Sequence, residues 1–147
     1  MFDKIKNIKS KINLFLMAFL MSSCVNASLD DMPLDQGYCS LIKETINLDE
    51  LQQYYHIDVF PERSPLIVVV AEKGFNCIGL VKFDKPVTVT DKRSTPDEVY
   101  LEITKIDVTH STAFISFKYA PEGIRGEIKF KKIDSRWAIS TNTIVEW

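Results

Sequence analysis

Val99–Ser140 reads VYLEITKIDVTHSTAFISFKYAPEGIRGEIKFKKIDSRWAIS. Its alternation decides the fold. Ala113, Ile115, Phe117 and Tyr119 fall on one side of a two-residue period, as do Ile124, Gly126, Ile128 and Phe130. Arg125, Glu127, Lys129 and Lys131 take the opposite side, so the strand has one dry and one wet face. His110-Ser111, Pro121-Glu122-Gly123 and Asp134-Ser135 supply turns between the strands. In Val99–Val108 the apolar parity switches between Ile103 and Ile106, which predicts a bulge near Thr104-Lys105. Trp137, Ile139 and Val145 carry the pattern to the end, as an antiparallel meander.

Outward from this stretch, the signals become shorter. Leu66–Ala71 is a continuous β-branched run, predicted to be a strand buried on both faces. Asn76–Phe83 and Val87–Thr90 read as short strands around Asp84-Lys85-Pro86, and Glu72-Lys73-Gly74 and Asp91–Asp97 as turn and loop. Before Pro65 the period becomes helical. Tyr38, Leu41, Ile42 and Thr45 share a face, with Asp35 as the predicted cap of a helix over Tyr38–Ile46. Asn47-Leu48-Asp49-Glu50 is a second start signal, with Asn47 at the cap, Glu50 three residues on, and Leu51, Tyr54 and Tyr55 as the apolar face. Pro61 and Pro65 end the helical segment. The expected class is α+β, with one or two short N-terminal helices on a curved antiparallel sheet of five to seven strands.

The first residues read differently. Lys4, Lys6, Lys9 and Lys11 precede an apolar block, Leu14–Met21. The block is too short for a span of about 20 apolar residues, and the arrangement is that of a secretory signal peptide. Two processing sites fit. Leu20-Met21-Ser22-Ser23-Cys24 resembles a bacterial lipoprotein signal, with Cys24 acylated as the mature N-terminus and Val25 after it favouring the outer membrane. Val25-Asn26-Ala27 is an ordinary cleavage site before Ser28. The expected organisation is a signal over residues 1–23 (or 1–27), a tether over 24–37 and a single domain over 38–147. The expected location is the periplasm, with an outer-membrane anchor if Cys24 carries lipid.

Export changes the composition. The whole chain of 147 residues has a formal charge of -2. Residues 1–23 hold four lysines and one aspartate, leaving 14 basic and 19 acidic residues, a charge of −5. That balance suits a basic protein partner and argues against nucleic acid. Of three cysteines, either processing route takes Cys24 out of pairing. Cys39 and Cys77 remain in an oxidising compartment, and a disulfide between them is expected, worth about 4 kcal/mol.

Glu102–Ser140 resembles the terminal strands of nuclear-transport-factor-2-like domains: a strand, a polar turn, a strand opening Thr112-Ala113, another strand, then a charged turn and Trp137-Ala138-Ile139. The resemblance implies a curved sheet, and it carries over no catalytic residue. In plan, with its signal, helical start, one disulfide and sheet, the chain is similar to small exported immunity and inhibitor proteins of Gram-negative bacteria.

No motif for chemistry stands out. His56 and His110 lack metal-ligand spacing, so no metal or cofactor is expected. There is no nucleophile elbow, and Gly37, Gly74, Gly79, Gly123 and Gly126 form no phosphate loop. Lys129, Lys131, Lys132 and Arg136 make one basic cluster, a solvated strand face or a seat for anionic lipid or an acidic protein. Tyr54-Tyr55-His56 with Phe60-Pro61-Glu62-Arg63 is the most interface-like stretch, and Tyr54, Tyr55 and Arg63 are its candidate contacts. The expected function is non-catalytic protein binding in the cell envelope, of the toxin-immunity or inhibitor kind. The alternative is a pocketed sheet holding a small apolar ligand against Phe117, Phe130 and Trp137.

Overall fold

Four strands of the meander pair as their alternation requires. The computed structural model describes residues 34–72, 77–91 and 99–147. Cys24, both processing sites, most of the tether and the expected loop at 92–97 lie outside them. Helices α1 (Leu34–Ile46) and α2 (Asp49–Tyr55) come first. Strands β1 (Ile67–Val70), β2 (Val81–Lys82), β3 (Lys85–Pro86), β4 (Thr88–Thr90), β5 (Leu101–Val108), β6 (Thr112–Tyr119), β7 (Ile124–Ile133) and β8 (Arg136–Glu146) follow. Six strands form one sheet in the order β4-β1-β5-β6-β7-β8, and β2 and β3 form a separate hairpin.

From β5 to β8 every pairing is antiparallel. The register of β5 on β6 shifts between Ile103 and Lys105, at the expected bulge, and Thr104 Oγ1 donates to the Ser116 carbonyl at 3.1 Å. A second shift was not expected. Phe130 pairs with Ile139 and Lys129 with Thr141, leaving Ser140 as the extra residue of β8, its Oγ donating to the Lys129 carbonyl at 3.1 Å. The bulge reverses the parity of β8 along its length.

Elsewhere the sheet departs from the antiparallel expectation. β1 runs parallel to both its neighbours, β4 and β5. Parallel neighbours need long crossovers, and the residues after β1 supply them on the way to β4 and β5. Val68, Val69 and Val70 are all buried, in keeping with the unbroken apolar run. The expected strand at 87–90 is β4, whereas that at 76–83, whose first residue lies outside the described residues, is corrected to Val81-Lys82 alone. Val81-Lys82 folds back on Lys85-Pro86 through Phe83 and Asp84, whose φ angles of 54° and 58° suit a tight primed turn.

The helical layer also begins differently. α1 starts at Leu34, so Asp35 falls inside its first turn and does not precede it. The expected cap of α2 is corrected as well. Asn47 Nδ2 donates to the Lys43 carbonyl at 2.9 Å, closing the end of α1, while Leu48 occupies the cap of α2 without a side-chain bond. A carbonyl left open at the end of one helix outcompeted the start of the next. Asp49 and Glu50 still place negative charge in α2's first turn.

Leu41, Ile42, Ile46, Leu51 and Tyr55 from the helices meet Leu101, Ile103, Ile115, Phe117, Tyr119, Ile124, Ile128 and Phe130 from the sheet. Gly126 makes room for this packing. A Cβ there would lie 2.5 Å from Phe117 Cε1 and 3.0 Å from the Thr143 carbonyl. The Cys39 and Cys77 sulfurs are bonded at 2.04 Å. Cys77 lies between β1 and β2, so the bridge ties α1 to the crossover segment and not to a sheet strand.

Candidate functional site

The interface-like stretch of the sequence lands at the end of the sheet where β6 turns into β7. α2 stops at His56, which takes the left-handed conformation (φ 48°) and turns the chain toward Phe60. Pro61–Arg63 forms one 3-10 turn, which aims Arg63 back under α2. Arg63 Nη1 donates to the Tyr55 carbonyl at 3.2 Å and to Glu122 Oε1 at 2.5 Å. Glu122 sits in the turn after β6, and its other oxygen lies 3.4 Å from His56 Nε2. The Arg63 side chain is 9% exposed and that of Glu122 20%. Desolvation of this pair costs several kcal/mol, and loss of either partner would strand the other charge. The Phe60 ring lies over the Arg63 guanidinium, 4.3 Å from its centroid. Trp147 N–H donates to the Gly123 carbonyl at 2.9 Å, which ties the end of β8 to the same turn.

Around this fixed frame large apolar side chains face solvent. Val59 is 67% exposed, Phe60 39% and Trp147 61%. Asp58, Glu62 and Glu146 are exposed beside them. At this end Arg63 is committed to Glu122, and His56 also leans on Glu122.

Beneath the surface two tyrosines face each other, Tyr55 and Tyr119, at 5.6 Å between ring centroids. Tyr55 Oη donates to the Ile46 carbonyl at 3.2 Å. Burial, then Tyr119, pushes its phenol well above the usual range. The Tyr119 phenol is raised mainly by burial; Arg63 pulls it down and Glu122 pushes it up. The Tyr119 hydroxyl is buried beside Arg63 without a hydrogen bond of good geometry. Next to Tyr55, the hairpin inserts Lys82, 9% exposed. Its ammonium donates to Asn47 Oδ1 at 3.0 Å and to Gln52 Oε1, and lies 5.4 Å and 5.0 Å from the Tyr55 and Phe83 rings. Burial lowers its pKa. Amide oxygens and aromatic faces replace water around the charge, which makes Lys82 a latch between hairpin and helices. No local pattern announces it, because a Lys in a short polar strand reads as solvated.

The three candidate contacts are thus placed unequally. Tyr55 is sealed in the core, Tyr54 is half-buried against it, and Arg63 is held by Glu122. The exposed groups of the same region are their neighbours Val59 and Phe60, joined by Trp147, which the reading of the stretch did not include. Phe117 and Phe130 are packed in the core and do not converge with Trp137 on a pocket. Trp137 is half-buried and lines a hollow of about 130 Å³ with Tyr38, His110 and Lys132, below the range of about 300–1,000 Å³ for small-molecule pockets. Close packing of an alternating strand against helices leaves those rings no cavity.

At the opposite end, the β7–β8 tip carries Lys129, Lys131, Lys132 and Arg136, with Ile133 exposed among them. Lys132 lies 5.9 Å over the Trp137 ring. Among the described residues, no three His, Cys, Asp or Glu side chains converge as metal ligands, and no helix is long and apolar enough to cross a membrane. No protein family, characterised protein or solved structure matches the chain.

Proposed function

We propose that the chain is a non-catalytic cell-envelope protein that binds another protein, of the toxin-immunity or inhibitor type. The export signal over residues 1–23 supports the location, the periplasm, with Cys24 as an outer-membrane lipid anchor. One observation carries the binding. Val59, Phe60 and Trp147 stand in solvent at one end of the sheet, on a turn that Arg63, Glu122 and the backbone of Gly123 hold in place. Aromatic side chains on a rigid frame lose little entropy when a partner covers them, which is the character of a binding hot spot. Asp58, Glu62 and Glu146 at the rim favour a basic partner and speed its approach.

Affinity capture from periplasmic extract tests this, with the wild-type chain and Phe60→Lys as paired baits. The expected result is a specific protein retained by wild type and lost from the variant. Recovery of nothing specific, or of the same proteins by both baits, contradicts the reading.

A further inference from the structure

We infer that the β7–β8 tip is a second contact surface, and that it seats on an anionic phospholipid surface. The inference rests on export to the envelope and is independent of the protein partner.

Outward-facing residues on β7 alternate toward the tip as Arg125, Glu127, Lys129, Lys131, Ile133, and Arg136 pairs with Ile133 across the turn. The last four cationic or apolar positions, Lys129, Lys131, Ile133 and Arg136, therefore share one face. Ile133 is 57% exposed at its apex. A hollow of about 320 Å³ opens on the same face, lined by Lys129, Lys131, Phe114 and Asp107 among others, with Thr109 and Thr112, whose hydroxyls bond to each other at 2.8 Å. Exposed ammonium and guanidinium groups around one protruding aliphatic residue fit a phosphate headgroup above an acyl layer. Three carboxylates stand near these cations: Asp107, which pairs with Lys105 at 2.7 Å, Asp134 in the turn, and Glu127 further along the strand.

The connection of the chain points the same way. Gly37 and Tyr38, in the first turns of α1, line the other hollow at this end with Lys132 and Trp137. The leader therefore joins the domain beside the basic tip. From Cys24 to Leu34 there are ten residues, a reach of at most about 35 Å. An anchor on that tether lets this end meet the bilayer, and with the tip docked the patch of Val59, Phe60 and Trp147 faces away, about 33 Å off along the ten residues of β7. A test of the inference has to tell one end of the sheet from the other.

The two tryptophans provide it, since Trp137 marks the basic tip and Trp147 the opposite end. The full chain is reconstituted on phosphatidylcholine vesicles with and without phosphatidylglycerol, each carrying a headgroup nitroxide quencher. Trp147→Phe leaves Trp137 as the reporter, and Trp137→Phe leaves Trp147. The expected result is strong quenching of Trp137 and little of Trp147, on the anionic vesicles only, lost in high salt. Each basic residue near the surface contributes about fivefold to the docked population at low salt. Lys131→Glu with Arg136→Glu should abolish the preference, while Lys118→Glu, on the same face toward the other end, should leave it. Equal quenching of both tryptophans, equal quenching of Trp137 on neutral vesicles, or indifference to the double reversal overturns the inference. No partner protein is present, so these outcomes are separate from those of the capture experiment.

Discussion

The two ends of the sheet share the same strands and carry opposite chemistry. At one end Arg63 is buried against Glu122, so its charge is spent inside, and Val59, Phe60 and Trp147 face solvent beside Asp58, Glu62 and Glu146, with Lys118 and Arg125 exposed on the strands nearby. At the other, Lys129, Lys131 and Arg136 stand in solvent, with only Lys132 drawn against an aromatic ring. The contrast shows that residue type alone does not define a contact surface. An arginine that is paired and buried builds a frame, whereas lysines left unburied build a field. Both ends hang on a helical layer that is fastened by Cys39–Cys77 and by Lys82.

The harshest way to break the comparison is to loosen that layer. Replacing both cysteines, Cys39→Ser with Cys77→Ser, should cost about 4 kcal/mol, read as a lower denaturation midpoint in urea, and should disturb both ends together. A smaller and local loss is expected from Glu122→Gln. It strands the Arg63 charge and should cost about 3 kcal/mol. Adding Arg63→Met should recover most of it in a double-mutant cycle, because the stranded charge is removed.

Phe60→Ala sharpens the comparison from the binding side. Folding stability should fall by about 1 kcal/mol, since the ring also covers the Arg63 guanidinium. Affinity for the captured partner should fall by about 2 kcal/mol, roughly thirtyfold in Kd. Lys131→Glu should leave that Kd within about twofold at physiological salt, where charges far apart are screened.

The smallest effect is a change of slope with pH. Tyr119 has its phenol raised in the fold, so its contribution is complete below the ordinary value of 10.0 and is lost as pH climbs from there through the folded value. Tyr55 acts in the same sense. Lys82, lowered by burial, acts in the opposite sense below 10.5. Tyr119→Phe should therefore be close to neutral at pH 7, since its hydroxyl has no hydrogen bond to lose. It should flatten the fall in stability above pH 10, measured by denaturant titration against wild type.

The legible part of the chain was the part whose physics is local in sequence. Alternation in β6 and β7 follows from a single period, and the bulge after Ile103 showed as a break in that period. The cysteine pair followed from elimination within the compartment. The parallel placement of β1 depends on crossovers that no local pattern encodes. The hairpin of Val81–Pro86 was read as the end of one strand followed by a connecting turn at Asp84-Lys85-Pro86, because Phe83, an unusual residue for a positive φ, hid the start of the turn. There the ring finds compensation in Tyr55, 5.2 Å away, and in the Lys82 ammonium. At the candidate site the right stretch was legible and the right residues were not. Tyr55 and Arg63 carry the side-chain types of an interface, yet Glu122, 59 residues beyond Arg63, draws the arginine inward. Which of two adjacent aromatic residues faces water is a property of packing, not of type.

Site-specific photocrosslinking in cells tests the opposition of the two ends most directly. A benzophenone amino acid is placed at Phe60 in one strain and at Ile133 in another. A discrete protein adduct from position 60, abolished by Trp147→Ala, together with no protein adduct from position 133, is the expected result. Protein adducts from position 133 with none from position 60 would contradict it.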